Sequence, residues 1–236
     1  MKASAEIAPV TIARIAGLFY LLVIVTSPLA MFIRGRVIVG TDPAASMANL
    51  VAHEGLYRLG LASDIVSSAS YIVVTGLFYV LFKPVDRSVA LVAALFSTVA
   101  IAVGTIGGLF NLAPLTILRS AANLGAFSEA QLGQIALLSV KLGTQAVNIG
   151  IILFGCYCLS IGWLILRSKF LPSLLGAGMI LAGLGWLSFL YQPLASAIVP
   201  FNMLSGAIGE GALTLWLLAV GVNGARWREQ AGLAAP

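Results

Sequence analysis

The chain has 236 residues, of which 60% are hydrophobic and 9% charged, with a mean hydropathy of +1.05. Soluble domains carry about 25% charged residues, so the composition excludes water as the main solvent and predicts an all-α membrane protein. The net charge of +5 comes from basic residues scattered singly around apolar runs, which excludes a nucleic-acid patch and marks them as topology signals.

Six apolar stretches follow in chain order, at about 12–33, 57–82, 88–113, 136–166, 171–192 and 201–225, each reaching the roughly 20 residues needed to cross a hydrocarbon core. The first follows Lys2 and resembles a leader peptide. Its run exceeds the 7–15 residues of a leader core and no clear small-x-small cleavage site follows, so it is read as a retained span. Between spans one and two, Thr41-Asp42-Pro43 reads as a helix N-cap with proline at the first helical position. The segment it opens ends at Gly55 and places Met47, Leu50 and Val51 on one face and Ser46, Asn49 and His53 on another. That pattern predicts a connector helix lying in the interface rather than a lid.

No linker, charge block or low-complexity tract divides the chain. The expectation is a single integral membrane domain over 1–236, a six-transmembrane-helix bundle with a short interfacial helix between spans one and two. With the N-terminus inside, Lys2, Arg14, Lys83, Arg87, Arg167, Lys169, Arg226 and Arg228 fall on the cytoplasmic side, and Arg34, Arg36, Arg58, Arg119 and Lys141 on the other. The excess of positive charge predicts both termini in the cytoplasm. Gly104 and Gly108 of span three, and Gly178, Ala182 and Gly185 of span five, are predicted helix-packing faces. Cys156 and Cys158 stand two apart on one helix and point to nearly opposite sides, so a disulfide between them is not expected.

Three charges interrupt the spans. At about 1.5 Å per residue, Asp64 lies roughly 10 Å below the start of span two at Tyr57, and Glu210 roughly 13 Å below the start of span six at Phe201. Lys141 enters span four from the same side. Each continues into a polar stripe at helical spacing: Asp64, Ser67, Ser68, Tyr71 and Thr75; Lys141, Thr144, Gln145 and Asn148; Gly206, Glu210 and Thr214. A charge in the bilayer centre costs about 2.5–3.5 kcal/mol on insertion scales, so such groups pair or line a wet cavity, and the stripes are expected to face the bundle interior.

Two readings follow. In one, Asp64, Lys141 and Glu210, with Tyr71, Gln145 and Asn148, form a polar cavity in the outer half of the bundle that binds or carries a small solute, an ion or a lipid. In the other, the charges are structural and the protein is a non-catalytic membrane subunit or assembly partner. His53 and Glu54 sit above this region at the entrance to span two; a lone interfacial histidine reads more readily as a solvated or capping residue than as a ligand.

The chain has one histidine, which excludes bis-histidine haem ligation and the H-E-x-x-H zinc site. It lacks a G-x-x-x-x-G-K-[ST] loop, and a serine–histidine pair would have to recruit His53 from outside the bundle core. Spans two, three and five show no deeply broken-helix pattern of the kind that identifies ion-coupled transporters. No catalytic residue, metal site or cofactor site is assigned, and the lipid bilayer is the one partner the composition requires.

Several short segments together resemble a known family: Ala13-Arg14-Ile15-Ala16-Gly17; Glu54-Gly55-Leu56-Tyr57-Arg58-Leu59-Gly60 followed by Asp64; and Lys83-Pro84-Val85-Asp86-Arg87. Phe154-Gly155 through Gly162, then Arg167-Ser168-Lys169-Phe170-Leu171-Pro172 and Gly176, continue the pattern. They are similar to bacterial membrane proteins grouped as domain of unknown function 4386, over about residues 12 to 220. The resemblance implies a multi-span protein of the bacterial inner membrane with no established activity and supplies no catalytic residue. Arg58 and Asp64 match its pattern; Tyr157 stands where relatives often carry a histidine after the Phe-Gly pair.

Overall fold

The computed structural model describes residues 8–120 and 126–233. Helix makes up 86% of it, and no strand occurs among the described residues, so the protein is an all-α bundle. The helices are α1 (Pro9–Val37), α2 (Pro43–Ala52), α3 (Glu54–Phe82), α4 (Arg87–Ser120), α5 (Glu129–Arg167), α6 (Ser173–Leu187), α7 (Gln192–Ala197), α8 (Phe201–Ala219) and α9 (Gly224–Gln230), with a 3₁₀ turn over Ser188–Leu190 after α6. Five helices are long and apolar enough to cross a membrane, ending with Ser173–Leu190, and up to six if the pair α8 and α9, bent by 106°, is one span. Lys2, a topology charge at the sequence level, lies outside the described residues.

The boundaries follow local chemistry. Asp42 caps α2 as expected, its carboxylate accepting the Ala45 N–H at 2.9 Å with Pro43 in the first turn. The face of α2 differs from expectation. Ser46 is buried beside Leu50, while Val51 is 60% exposed. The Ser46 hydroxyl accepts the Val39 N–H at 2.9 Å and lies within 2.9 Å of the Val39 and Asp42 carbonyls, closing the preceding turn. That satisfied hydroxyl explains how a serine sits inward.

Helix α4 continues through Pro114 to Ser120 rather than stopping near 113, because an interior proline removes one backbone hydrogen bond without ending a membrane helix. Helix α5 starts at Glu129 rather than 136. Ser128 and Gln131 cap it reciprocally, with Gln131 N–H to Ser128 Oγ at 3.3 Å and Ser128 N–H to Gln131 Oε1 at 2.8 Å. The last apolar run does not continue to 225: α8 stops at Ala219, Gly221 turns the chain with φ of +77°, and Asn223 Oδ1 accepts the Arg226 N–H at 3.1 Å to start α9.

The chain forms two compact units. Unit 1 comprises Met1–Leu22, Ser70–Ile101 and Ile151–Pro236; unit 2 comprises Val23–Ala69 and Ala102–Gly150. In unit 1, α5, α6 and α8 pack through small residues. A methyl group on Gly162 would stand 2.8 Å from the Gly176 carbonyl, and one on Gly183 would stand 2.9 Å from that of Gly155. Helix α8 runs antiparallel to α6, Gly209 against Gly178 and Ala182, and Ser205 with Asn202 against Gly185. The packing face expected at Gly178, Ala182 and Gly185 is present.

In unit 2, the face expected at Gly104 and Gly108 is not the packed one, since a methyl at either would meet nothing within 4 Å. Gly107 packs instead, opposite Gly143 of α5, each within 2.9 Å of the other's carbonyl once a methyl is added. Val37, Leu50, Tyr57, Leu61 and Leu115 form an apolar core that seats α2. The free thiols Cys156 and Cys158 differ in burial, as their two-residue spacing requires.

Candidate functional site

The inward polar stripe of α8 is built as the sequence suggests: Gly206, Glu210 and Thr214 are all buried. The glycines at 206 and 209 let α6 approach closely enough for the Trp186 indole to reach Glu210, donating to Oε1 at 2.8 Å. From α1, the Tyr20 hydroxyl donates to Glu210 Oε2 at 2.9 Å. Behind it the Tyr71 hydroxyl donates to Tyr20 Oη at 3.3 Å. Both carboxyl oxygens thus have donors, which meets the demand that a buried carboxyl be hydrogen-bonded.

Aromatic rings enclose this chain of hydroxyls. Tyr71 lies edge-on to Tyr20, Phe154 and Tyr157 with centroids 5.4, 5.3 and 5.9 Å away, and Phe154 stacks on Tyr157 at 5.4 Å. Two hydroxyls in this part of unit 1, Tyr157 Oη and Thr214 Oγ1, are buried with no hydrogen-bond partner among the described residues. Thr214 follows Glu210 by one helical turn, on the same inward face. The arrangement offers a hydrogen-bonded carboxyl, a hydroxyl relay from Tyr71 through Tyr20, and two spare hydroxyls.

Unit 2 holds the other expected residues. Asp64 pairs with Arg34 from the end of α1, with side-chain exposures of 29% and 20%. One turn away, the hydroxyls of Ser27 and Ser67 lie 2.5 Å apart. Near the start of α3, Arg58 bonds Glu54 Oε1 through Nε at 2.8 Å and Nη2 at 2.6 Å, and Arg119 reaches the same oxygen at 3.5 Å. Tyr57 donates to the Asn111 carbonyl at 2.7 Å. His53 is exposed in the break between α2 and α3, with Nδ1 3.1 Å from the Asn49 carbonyl, a capping position.

Lys141, Thr144 and Gln145 are exposed on α5, and Asn148 is half-buried. Among the described residues Lys141 makes no ion pair. The buried positions of this stretch are Leu132, Gly133, Ala136, Leu137, Gly143 and Gly150, and the close approach of Gly143 to Gly107 fixes which side of α5 is packed. Of the three span charges, then, Asp64 and Lys141 belong to unit 2 and Glu210 to unit 1. Their immediate partners are Arg34 for Asp64, and Tyr20 and Trp186 for Glu210.

Sequence reasoning missed those partners. Arg34 lies just past an apolar run and reads as a loop charge. Tyr20 and Trp186 lie within apolar runs, where an aromatic residue carries no sign of being a donor. Among the described residues, no group of three or more His, Cys, Asp or Glu side chains is placed to hold a metal ion.

No curated protein and no solved structure matches the chain. A family match spans residues 15–221, running from within α1 to just past the end of α8 and including both the Glu210 cluster and the Arg34–Asp64 pair. The chain belongs to the family described as Domain of unknown function (DUF4386).

Proposed function

We propose that this protein binds a small polar solute or a cation within the membrane at the Glu210 cluster, as a carrier or receptor for it. The observation that supports this reading is the pair of buried hydroxyls, Tyr157 Oη and Thr214 Oγ1, that have no partner among the described residues, in the unit that also buries Glu210. A network serving stability alone has no use for them, since an unsatisfied buried polar group costs about 1–3 kcal/mol. A bound polar molecule would satisfy them and take a further bond from the carboxyl, which has lone pairs beyond those used by Tyr20 and Trp186. In the orientation favoured by the Lys and Arg distribution, both termini are cytoplasmic in a bacterial inner membrane, and Glu210, the central residue of α8, lies near mid-depth.

Thermal unfolding of the purified protein in detergent tests this against monovalent cations, alkylammonium ions and neutral polyols. One class should raise the melting temperature of the parent protein in a concentration-dependent way. Glu210→Gln and Tyr157→Phe should fold and lose that response. If no class stabilises the parent, or if Glu210→Gln responds equally, the reading fails.

The alternative, a non-catalytic subunit with structural charges, draws on a different observation. In unit 2 Asp64 is paired with Arg34, and Glu54 with Arg58 and Arg119, so these carboxylates are already compensated. Should the Glu210 variants lose stability in proportion, with no ligand response in any protein, this second reading gains.

A further inference from the structure

A cavity of about 440 Å³ opens at the corner between the α5–α6 connection and the bend from α8 into α9, lined among others by Lys169, Phe170, Leu171, Trp216, Val220 and Arg226. We infer that this corner binds the phosphate headgroup of an anionic phospholipid.

Charge is the first argument. Residues 167–172 and 216–230 carry Arg167, Lys169, Arg226 and Arg228 against Glu229 alone. Such a cluster at the end of membrane helices attracts anionic lipid. The walls are the second. A soluble anion needs only the donors, whereas Trp216 and the exposed Val220 at the end of α8, beside the buried Phe170 and Leu171 of the connection, add an apolar wall of the kind acyl chains require. The volume lies within the range of small-ligand sites, roughly 300–1,000 Å³.

Preorganisation is the third argument. Helix α9 is held to the connection by the Lys169 N–H donating to Gln230 Oε1 at 3.0 Å, Gln230 Nε2 to the Arg167 carbonyl at 3.3 Å, and Arg226 Nη1 to the Lys169 carbonyl at 3.4 Å. The Asn223 N–H bonds the Phe170 carbonyl at 3.1 Å, and the buried Trp227 indole donates to the Leu81 carbonyl at 2.8 Å. Arg226 is therefore fixed beside Lys169 without losing its exposed position. Lys169 Nζ meets Glu229 Oε1 at 3.0 Å, with side chains 59% and 63% exposed. A pair so exposed contributes little, and a phosphate can displace the carboxylate. Arg167 is engaged over the Trp163 ring at 5.1 Å, and of the four basic residues Lys169 and Arg226 are the two that line the cavity, which makes them the headgroup donors.

The test uses the full-length protein in detergent, titrated with phosphatidylglycerol, phosphatidylcholine or inorganic phosphate while thermal unfolding is followed. Phosphatidylglycerol should stabilise the parent well beyond phosphatidylcholine. Lys169→Ala and Arg226→Ala should each weaken that preference about fivefold, with the phosphatidylcholine baseline unchanged. Glu229→Gln, which frees Lys169, should strengthen it, and serves where an alanine variant fails to fold. Equal stabilisation by the two lipids, an undiminished preference in a folded Lys169→Ala/Arg226→Ala protein, or full stabilisation by inorganic phosphate alone would each overturn the assignment.

Discussion

Arg34 and Asp64 illustrate what a charged side chain needs inside a membrane helix. Each is partly buried, and each has an opposite charge as partner, so removing one exposes the desolvation cost of the other. Breaking a fully buried pair costs about 3–5 kcal/mol; with the residual exposure here, Arg34→Met should cost about 2 kcal/mol in thermal unfolding. Arg34→Met combined with Asp64→Leu should recover most of that loss, because the orphaned carboxylate goes too. Lys141→Met, which removes an exposed side chain, should stay within about 0.5 kcal/mol of the parent. A single Arg34→Met variant as stable as the parent would show that the pair contributes nothing. The two carboxylates were legible in the sequence because charge in an apolar run is conspicuous. Their partners were not, since helical spacing says which side chains share a face but not which neighbour that face meets. The same limit applies to the Lys141 stripe, whose polar pattern is regular but whose helix packs through another face, which holds Leu132, Ala136, Leu137 and Gly143.

At the scale of the element, close helix approach is the main organising force, since apolar side chains gain little by leaving lipid for protein. A methyl group at Gly162 would lie 2.7 Å from Ile180 Cγ1 as well as 2.8 Å from the Gly176 carbonyl, so the α5 and α6 backbones would have to separate. Gly162→Ala should therefore lower stability by about 2 kcal/mol, within the usual range for overpacking. Gly104→Ala meets no neighbour and should stabilise by up to about 1 kcal/mol through helix propensity. Opposite signs for two Gly→Ala changes in thermal unfolding check the packing assignment, and a destabilising Gly104→Ala would refute it. The helices themselves were readable from hydropathy, and the α2 cap from Asp42-Pro43. The early start of α5 was also written in the sequence, as Ser128 with Gln131 three residues on. The stop at Gly221 was not distinguishable among 25 glycines, and α7 is too short for a periodic signal. Gly107 rather than Gly104 or Gly108 forms the contact because only the facing helix decides which small residue is used.

For the whole molecule, the division into two units leaves no mark on composition, because the unit ranges change within α1, α3, α4 and α5 rather than at a linker. The number of crossings depends on α8. Asn202 and Glu210 dilute its apolar character, and α8 reaches span status only when joined to α9 across the 106° bend. Its antiparallel partner α6 belongs to one of the five helices that qualify alone, and the pairing extends from Gly178 opposite Gly209 to Gly185 opposite Asn202. A helix of 19 residues is about 28 Å long, close to the roughly 30 Å of a hydrocarbon core. Depth shared with a spanning neighbour, together with the internal donors that satisfy Glu210, argues that α8 crosses. Six crossings return the chain to its starting side, whereas five leave the ends on opposite sides. Topology reporters fused separately to the N-terminus and after α9 should therefore both report the cytoplasm. A cytoplasmic N-terminus with a C-terminus on the far side would mean that α8 does not traverse, and would remove the depth assigned to Glu210 along with the sixth span.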